Sequence, residues 1–255
     1  LKLFIASIIQ NHAIAHGIYE MVIHAPEIAL HAVPGQFVNL YPHLESTLLP
    51  RPISISDVDY SGGHVHLAYA LVGTGTKLFA TLRVADTVTV LGPLGNGYAI
   101  PDSIQNPLLV AGGVGTPPMI FLARSLRMPV MIYLGFRSST PYFVERLAEF
   151  GVVRVATEDG SDGYKGNVVN LMDKHGAEGD IVYSCGPRPM LKAVQEWSKS
   201  KHIPTQLSLE ERMGCGIGSC VGCIVKIKEN NYQGWNYKKV CHDGPVFLGE
   251  KVIFS

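Results

Sequence analysis

The chain has 255 residues, 47% of them hydrophobic, and its acidic and basic side chains balance at 21 each. That length exceeds one small domain and favours two or three modules with sizeable cores. The charge balance excludes the basic excess that nucleic acid or an anionic membrane demands, so neither is expected as a partner, although a local patch for one protein partner survives it. No charged stretch, apolar core and cleavage site mark the start. Apolar runs are broken by Gly, Pro or charge well before the roughly 18 residues of a membrane span. The expectation is a soluble, cytoplasmic protein.

Short β-rich runs open the chain at Leu3–Ile9, Ile18–His24, Gln36–Tyr41, Ile53–Ser56, His64–Leu71 and Thr87–Leu91, separated by turns such as Val33-Pro34-Gly35-Gln36 and Ser61-Gly62-Gly63. Six strands with one helix predicted over Thr76–Leu82 fit a closed antiparallel barrel, residues 1–100. Within it, Arg51-Pro52-Ile53-Ser54 places a cation and a hydroxyl on one strand, and Gly73-Thr74-Gly75-Thr76 opens the helix with free N–H groups. Both features favour a phosphorylated cofactor, but each pattern is short and a glycine turn is commonplace.

After Pro101 the rhythm changes to alternating strand and helix. Strands at Leu108–Ala111, Val130–Gly135, Val152–Thr157 and Ile181–Ser184 are interleaved with helices at Pro118–Leu126, near Tyr142–Phe150, near Val168–His175 and at Pro189–Lys201. Such alternation means a parallel sheet with crossover helices, an α/β nucleotide domain over 101–207. Its first strand runs into Gly112-Gly113-Val114-Gly115-Thr116-Pro117-Pro118. Glycines there let a pyrophosphate approach the backbone, although Pro118 replaces the third glycine of the usual fingerprint and a ligand-free tight turn is the plain alternative. Cys185-Gly186-Pro187 ends a later strand, on the same carboxyl edge. Cys185 reads as a pocket-lining thiol or a buried small hydrophobe.

From Ser208 a Gly- and Cys-rich loop leads to a strand at Ile224–Lys228 and a polar turn. Fewer than fifty residues remain, too few for a good core without an inorganic staple. Of five cysteines, four lie here: Cys215, Cys220 and Cys223 follow C-x4-C-x2-C, and Cys241 comes after seventeen intervening residues. That is ferredoxin-type spacing for two irons, and the glycines at 214, 216, 218 and 222 suit a loop whose N–H groups face sulfur. A zinc site would more often pair two C-x2-C knuckles. The segment 208–255 is expected to be a small iron–sulfur domain.

The order of the three modules resembles the ferredoxin–NADP reductase superfamily. More narrowly, it is similar to the electron-transfer subunits of the NAD-dependent, B-type dihydroorotate dehydrogenases, with Ser208 to Cys223 the most specific string. The resemblance implies FAD bound by Arg51, Pro52, Ile53, Ser54, by Ala68, Tyr69, Ala70, and by Gly75 and Thr76. It implies NAD, as substrate, at Gly112, Gly113, Gly115, Cys185, Gly186 and Pro187, and a 2Fe-2S cluster on Cys215, Cys220, Cys223 and Cys241. Ser54 would line the transfer path near the flavin and Cys185 near the nicotinamide. Hydride transfer needs no general base, so no catalytic acid or base is nominated. The family pattern implies a catalytic, FMN-containing dihydroorotate dehydrogenase partner in a heterotetramer of two chains of each kind. A reductase subunit of another complex shares the three modules and is the alternative. Arg137-Ser138-Ser139, after the second strand of the sheet, leaves NADP open on chemistry alone. His64 and His66, alternating on one strand, read as surface residues.

Overall fold

The computed structural model describes residues 2–42, 48–138 and 142–254. The first module comprises β1 (Leu3–Ala15), β2 (Ile18–His24), α1 (Pro26–His31), β3 (Phe37–Tyr41), β4 (Arg51–Asp59), β5 (His64–Ala70), α2 (Thr74–Phe79) and β6 (Thr87–Leu94). Its strands close into an antiparallel barrel in the order β1-β2-β5-β4-β3-β6. Alternation fills the inside: Met21, Ile23, Val38, Leu40, Ile55, Leu67 and Tyr69 pack there with Phe79 from α2.

The second module follows with β7 (Pro107–Gly112), α3 (Pro118–Leu126), β8 (Val130–Phe136), α4 (Val144–Ala148), β9 (Gly151–Thr157), β10 (Tyr164–Lys165), α5 (Val168–Lys174), β11 (Ile181–Cys185), α6 (Arg188–Ser200) and β12 (Thr205–Ser208). Its core strands pair in parallel in the order β10-β9-β8-β7-β11-β12. The polar tail holds β13 (Ile224–Lys228), β14 (Trp235–Lys239), β15 (Val246–Leu248) and β16 (Val252–Ile253). β14, β13 and β16 form a small antiparallel sheet, whereas β15 leaves it to pair antiparallel with β12 at the edge of the large sheet. Among the described residues no helix is long and apolar enough to cross a membrane.

The modules share apolar material. Phe37 and Leu94 of the barrel, Val110 and Trp197 of the α/β layer, and Cys223, Val240 and Phe247 of the tail belong to one continuous core. The tail thus borrows burial from its neighbours, as a segment this short must. On the opposite side the barrel meets α3 and α4 through charge. Arg124 reaches the Asp57 carboxylate at 2.6 Å and the Val58 carbonyl at 2.7 Å. Arg146 reaches Glu20 at 2.6 Å, and His66 approaches the same carboxylate at 3.5 Å. Burial works against the Glu20 carboxylate, but hydrogen bonds from His66 and Arg146 win and hold its pKa below the usual range. At Asp57 burial prevails over Arg124 and the pKa rises.

Five short strands (β10, β12, β14, β15 and β16) and a helix had no clear sequence signature. β12 and β14 read as loop and polar turn because their alternation is brief, and α1 is a six-residue helix begun by Pro26. β1 runs to Ala15, beyond the apolar stretch ending at Ile9, because pairing with β2 continues through polar residues.

Candidate functional site

The expected residues gather into three clusters. In the barrel, β4 begins at Arg51 and α2 begins at Thr74, and the fold sets these segments side by side. A Cβ built on Gly75 would stand 2.6 Å from Arg51 Nε and 2.9 Å from its Cζ, so the guanidinium lies directly over the glycine. Arg51 Nη1 donates to the Leu49 carbonyl at 2.6 Å. Thr76 Oγ1 accepts from the Val72 and Gly73 N–H groups at 3.1 and 3.2 Å, which fixes the turn into the helix. A fixed cation on an N–H-rich turn is a cradle for pyrophosphate oxygens. Pro52, Ile53 and Ser54 are partly exposed along the same strand.

β5 carries Ala68, Tyr69 and Ala70 beside this cradle. Tyr69 turns inward. It is 2% exposed, stacks on Tyr19 and donates to Asn11 Oδ1 at 3.0 Å, and burial raises its pKa. Ala68 and Ala70 take the outer face, Ala68 against the α/β layer. This stretch therefore presents backbone and small side chains outward, while the tyrosine belongs to the barrel interior.

The strand order reverses between β7 and β11, the switch point at which open α/β sheets take ligands outside the carboxyl ends of their strands. Ala111 and Cys185 are register partners there. A Cβ on Gly115 would fall 2.3 Å from the Cys185 carbonyl oxygen, and one on Gly112 would fall 2.6 Å from Met190 Sδ. The two loops touch only because those side chains are absent. Gly113 has φ +51° and faces open space. Gly186 and Pro187 complete the second loop, and burial pushes the Cys185 thiol up to about 12. Thr116 is fully buried, and its hydroxyl oxygen has no partner among the described residues, just where the glycine loop enters α3. Arg137 and Ser138 are exposed at the end of β8, and Ser139 lies outside the described residues.

The third cluster is the cysteine loop. Its thiols stand as two pairs. Cys223 and Cys241, both buried, have sulfurs 3.3 Å apart. Cys215 and Cys220 are joined by a thiol contact and by the Cys220 N–H, 3.4 Å from Cys215 Sγ. Ile217 N–H also points at Cys215 Sγ, Gly218 N–H at Cys241 Sγ (3.2 Å), and Cys241 N–H at Cys223 Sγ (3.5 Å). Burial opposes ionisation of Cys215, yet N–H groups from Ile217, Cys220 and Ser219 and the Cys220 thiol bring its pKa down to about 6. Gly216 and Gly218 take φ of +68° and +82°, which lets those N–H groups turn inward. Among the described residues no three His, Cys, Asp or Glu side chains gather closely enough for a single ion. Two thiol pairs ringed by N–H donors fit a binuclear cluster, with two thiolates for each iron.

Sequence reasoning missed the residues that tie this loop down. Asn39 Nδ2 donates to the Cys215 carbonyl at 3.1 Å. Asn96 Nδ2 donates to the His242 and Asp243 carbonyls at 2.9 and 3.1 Å. Lys239 Nζ donates to the Gly218 carbonyl. All are long-range contacts of ordinary polar residues, which carry no local motif.

Solved structures share this architecture. A chain of the NADH-dependent reduced ferredoxin-NADP oxidoreductase, from work on flavin-based electron bifurcation, superposes with a TM-score of 0.87 and 30% identity over 97% of this chain and 89% of that one. The cytochrome b5 reductase domain of Ulva prolifera nitrate reductase shares the fold alone, with a TM-score of 0.65 and 18% identity over 79% of this chain and 94% of that one. Fold and site together define an electron-transfer subunit of an NAD-linked flavin and iron–sulfur oxidoreductase. Residues 210–253 match the family model described as the iron-sulfur cluster binding domain of dihydroorotate dehydrogenase B. Relatives named "Dihydroorotate dehydrogenase B (NAD(+)), electron transfer subunit" are 40% identical in Caldanaerobacter subterraneus, over 98% of both chains, and 41% identical in Bacillus cereus, over 96% of this chain and 97% of that one. The chain belongs to the family of electron transfer subunits of dihydroorotate dehydrogenase B.

Proposed function

We propose that the chain receives electrons from a catalytic, FMN-containing dihydroorotate dehydrogenase subunit and delivers them through a 2Fe-2S cluster and FAD to NAD+, in pyrimidine biosynthesis. The observation that carries this reading is the hydrogen bond from Asn39, on the barrel strand next to the one that bears Arg51, to the Cys215 carbonyl of the cysteine loop. When bound, FAD supplies the conversion between a hydride and single electrons, and the cluster supplies the one-electron step.

The chain's own residues bind and position. Arg51 and the N–H groups around Gly75 and Thr76 hold the flavin pyrophosphate, while Pro52, Ile53, Ser54 and the outward backbone of Ala68 to Ala70 frame its ring. Gly112, Gly113, Gly115, Cys185, Gly186 and Pro187 admit the nicotinamide nucleotide at the switch point. Cys185 stays a neutral thiol there, consistent with burial pushing it up to about 12. No side chain is assigned a proton to move. Cys215, Cys220, Cys223 and Cys241 hold the irons. Val221 is 70% exposed on the outside of their loop, which suits a partner arriving at that end.

The modules divide as 1–100, 101–207 and 208–255. The assembly is a cytoplasmic heterotetramer, two of each chain. The test is anaerobic reconstitution with iron, sulfide and FAD, then NADH with a dye acceptor. Flavin-dependent turnover with NADH in preference to NADPH is expected, and a folded chain that takes up neither iron nor flavin sinks the reading. The 30% identity to the ferredoxin-NADP oxidoreductase chain favours a second reading, a reductase subunit of another complex. Co-purification with a dihydroorotate-oxidising subunit, sized by light scattering, separates the two.

A further inference from the structure

We propose that Asn39 is the positioning residue that fixes the iron–sulfur loop against the flavin barrel and thereby sets the rate of electron passage between them. The proposal rests on the flavin and cluster reading of the two sites.

Asn39 lies in the middle of β3, with Pro52 of β4 as its register partner and Phe37, two residues earlier, opposite Ser54. Directly paired residues share one face of a sheet, so Asn39, Pro52 and Ser54 look outward from the same side of the barrel. Val38 and Leu40 take the inner face. The amide of Asn39 therefore stands beside the flavin strand and reaches the carbonyl of Cys215, an expected iron ligand, at 3.1 Å.

The contact is tight. A Cβ on Gly216 would come within 2.3 Å of Asn39 Nδ2 and 2.7 Å of its Oδ1, so the amide lies flat against the backbone of the cluster loop. Gly216 is required twice, by its φ of +68° and by this approach. One hydrogen bond thus connects the residue that would hold iron to the strand paired with Arg51-Pro52-Ile53-Ser54.

The amide is also costly to keep. Asn39 is fully buried and its Oδ1 has no partner among the described residues. An unsatisfied buried acceptor is destabilising, and an apolar side chain in its place would avoid that. What an apolar side chain cannot do is donate to Cys215. Hydrogen bonds around a cluster's ligands orient them and tune the metal, and a supporting residue left loose lets the geometry drift by an ångström.

The test uses the full chain with Asn39→Leu, and with Asn39→Ser in case the larger side chain disturbs folding. Reconstituted variants are expected to keep their iron and flavin. Reduction of the flavin by NADH, followed at its visible band, should stay within about twofold of the parent, whereas reduction of the cluster, followed by its EPR signal, should slow about tenfold or more. The second readout needs no cofactor: in the metal-free variants, amide hydrogen exchange over residues 214–218 should quicken about tenfold. Unchanged cluster reduction in variants that keep their iron, or unchanged exchange, overturns the proposal. If the parent chain binds no cluster, the functional reading fails, and the exchange measurement still decides whether Asn39 is the strut.

Discussion

The guanidinium of Arg51 occupies the space that a side chain on Gly75 would need, with Nε 2.6 Å from the position of that missing Cβ. Two short segments, each weak as a sequence signal, become one cradle through this contact. Because the crowded atoms belong to the far end of a flexible side chain, Gly75→Ala should displace Arg51 rather than unfold the barrel. The expected result is a Tm shift of the flavin-free chain of no more than a few degrees, corresponding to less than about 1 kcal/mol. FAD affinity, titrated by flavin fluorescence, should fall about tenfold or more through loss of a charge-assisted contact worth about 1.5–3 kcal/mol.

Gly115→Ala meets a different obstacle. Its Cβ would fall 2.3 Å from a backbone oxygen of Cys185, and no rotamer can relieve that. The β7 and β11 loops must separate, at about 1–3 kcal/mol for overpacking. The KM for NADH should rise at least tenfold while iron content and the cluster's EPR signal stay as in the parent.

Five cysteines should sort into four and one. Replacing Cys215, Cys220, Cys223 or Cys241 with serine should abolish or cripple cluster assembly, read as iron per chain. Cys185→Ser should retain full iron. In the folded parent at pH 8, Cys185 should also resist iodoacetamide, since burial pushes its thiol to about 12 and the thiolate is the reactive form. Rapid alkylation at Cys185 would contradict its placement.

Chelation of the iron should loosen the tail first. Residues 210–253 have little core of their own, so limited proteolysis of the metal-free chain should cut there while the barrel persists.

Acid should act on the barrel's contact with α3 and α4. Glu20 has a folded-state pKa below its unfolded value of 4.5, so its contribution to stability is present above pH 4.5 and is lost as pH falls through the lowered value. Asp57, with a raised pKa, works in the opposite sense. Glu20→Gln should cost about 1–2 kcal/mol at pH 7, leaving Arg146 and His66 without their carboxylate. It should also flatten the fall in stability between pH 6 and 3, measured by urea unfolding.

Much of this fold was legible because its signals are local. Pro118–Leu126 was read to the residue, since a double proline and an apolar run define it. The cysteine spacing and its glycines announced the cluster loop in the same way. Tyr69 shows the limit: its strand was found, but which face the phenol takes is set by the closure of the barrel, where it meets Asn11, fifty-eight residues away. Asn39 and Asn96 are further cases, since their partners lie in the tail. β15 was hidden because three residues gain a strand's identity only by pairing with β12.

That last strand has a mechanical consequence. The chain leaves the large sheet at Ser208, winds through the cysteine loop, and is clamped back on the same sheet by Val246–Leu248, with Leu209 N–H bonded to the Pro245 carbonyl at 2.9 Å. Both ends of the excursion are anchored within one strand-width of each other. A module held this way cannot swing on a tether like a carrier arm. It is a fixed wire, and whatever donates or collects charge has to come to it.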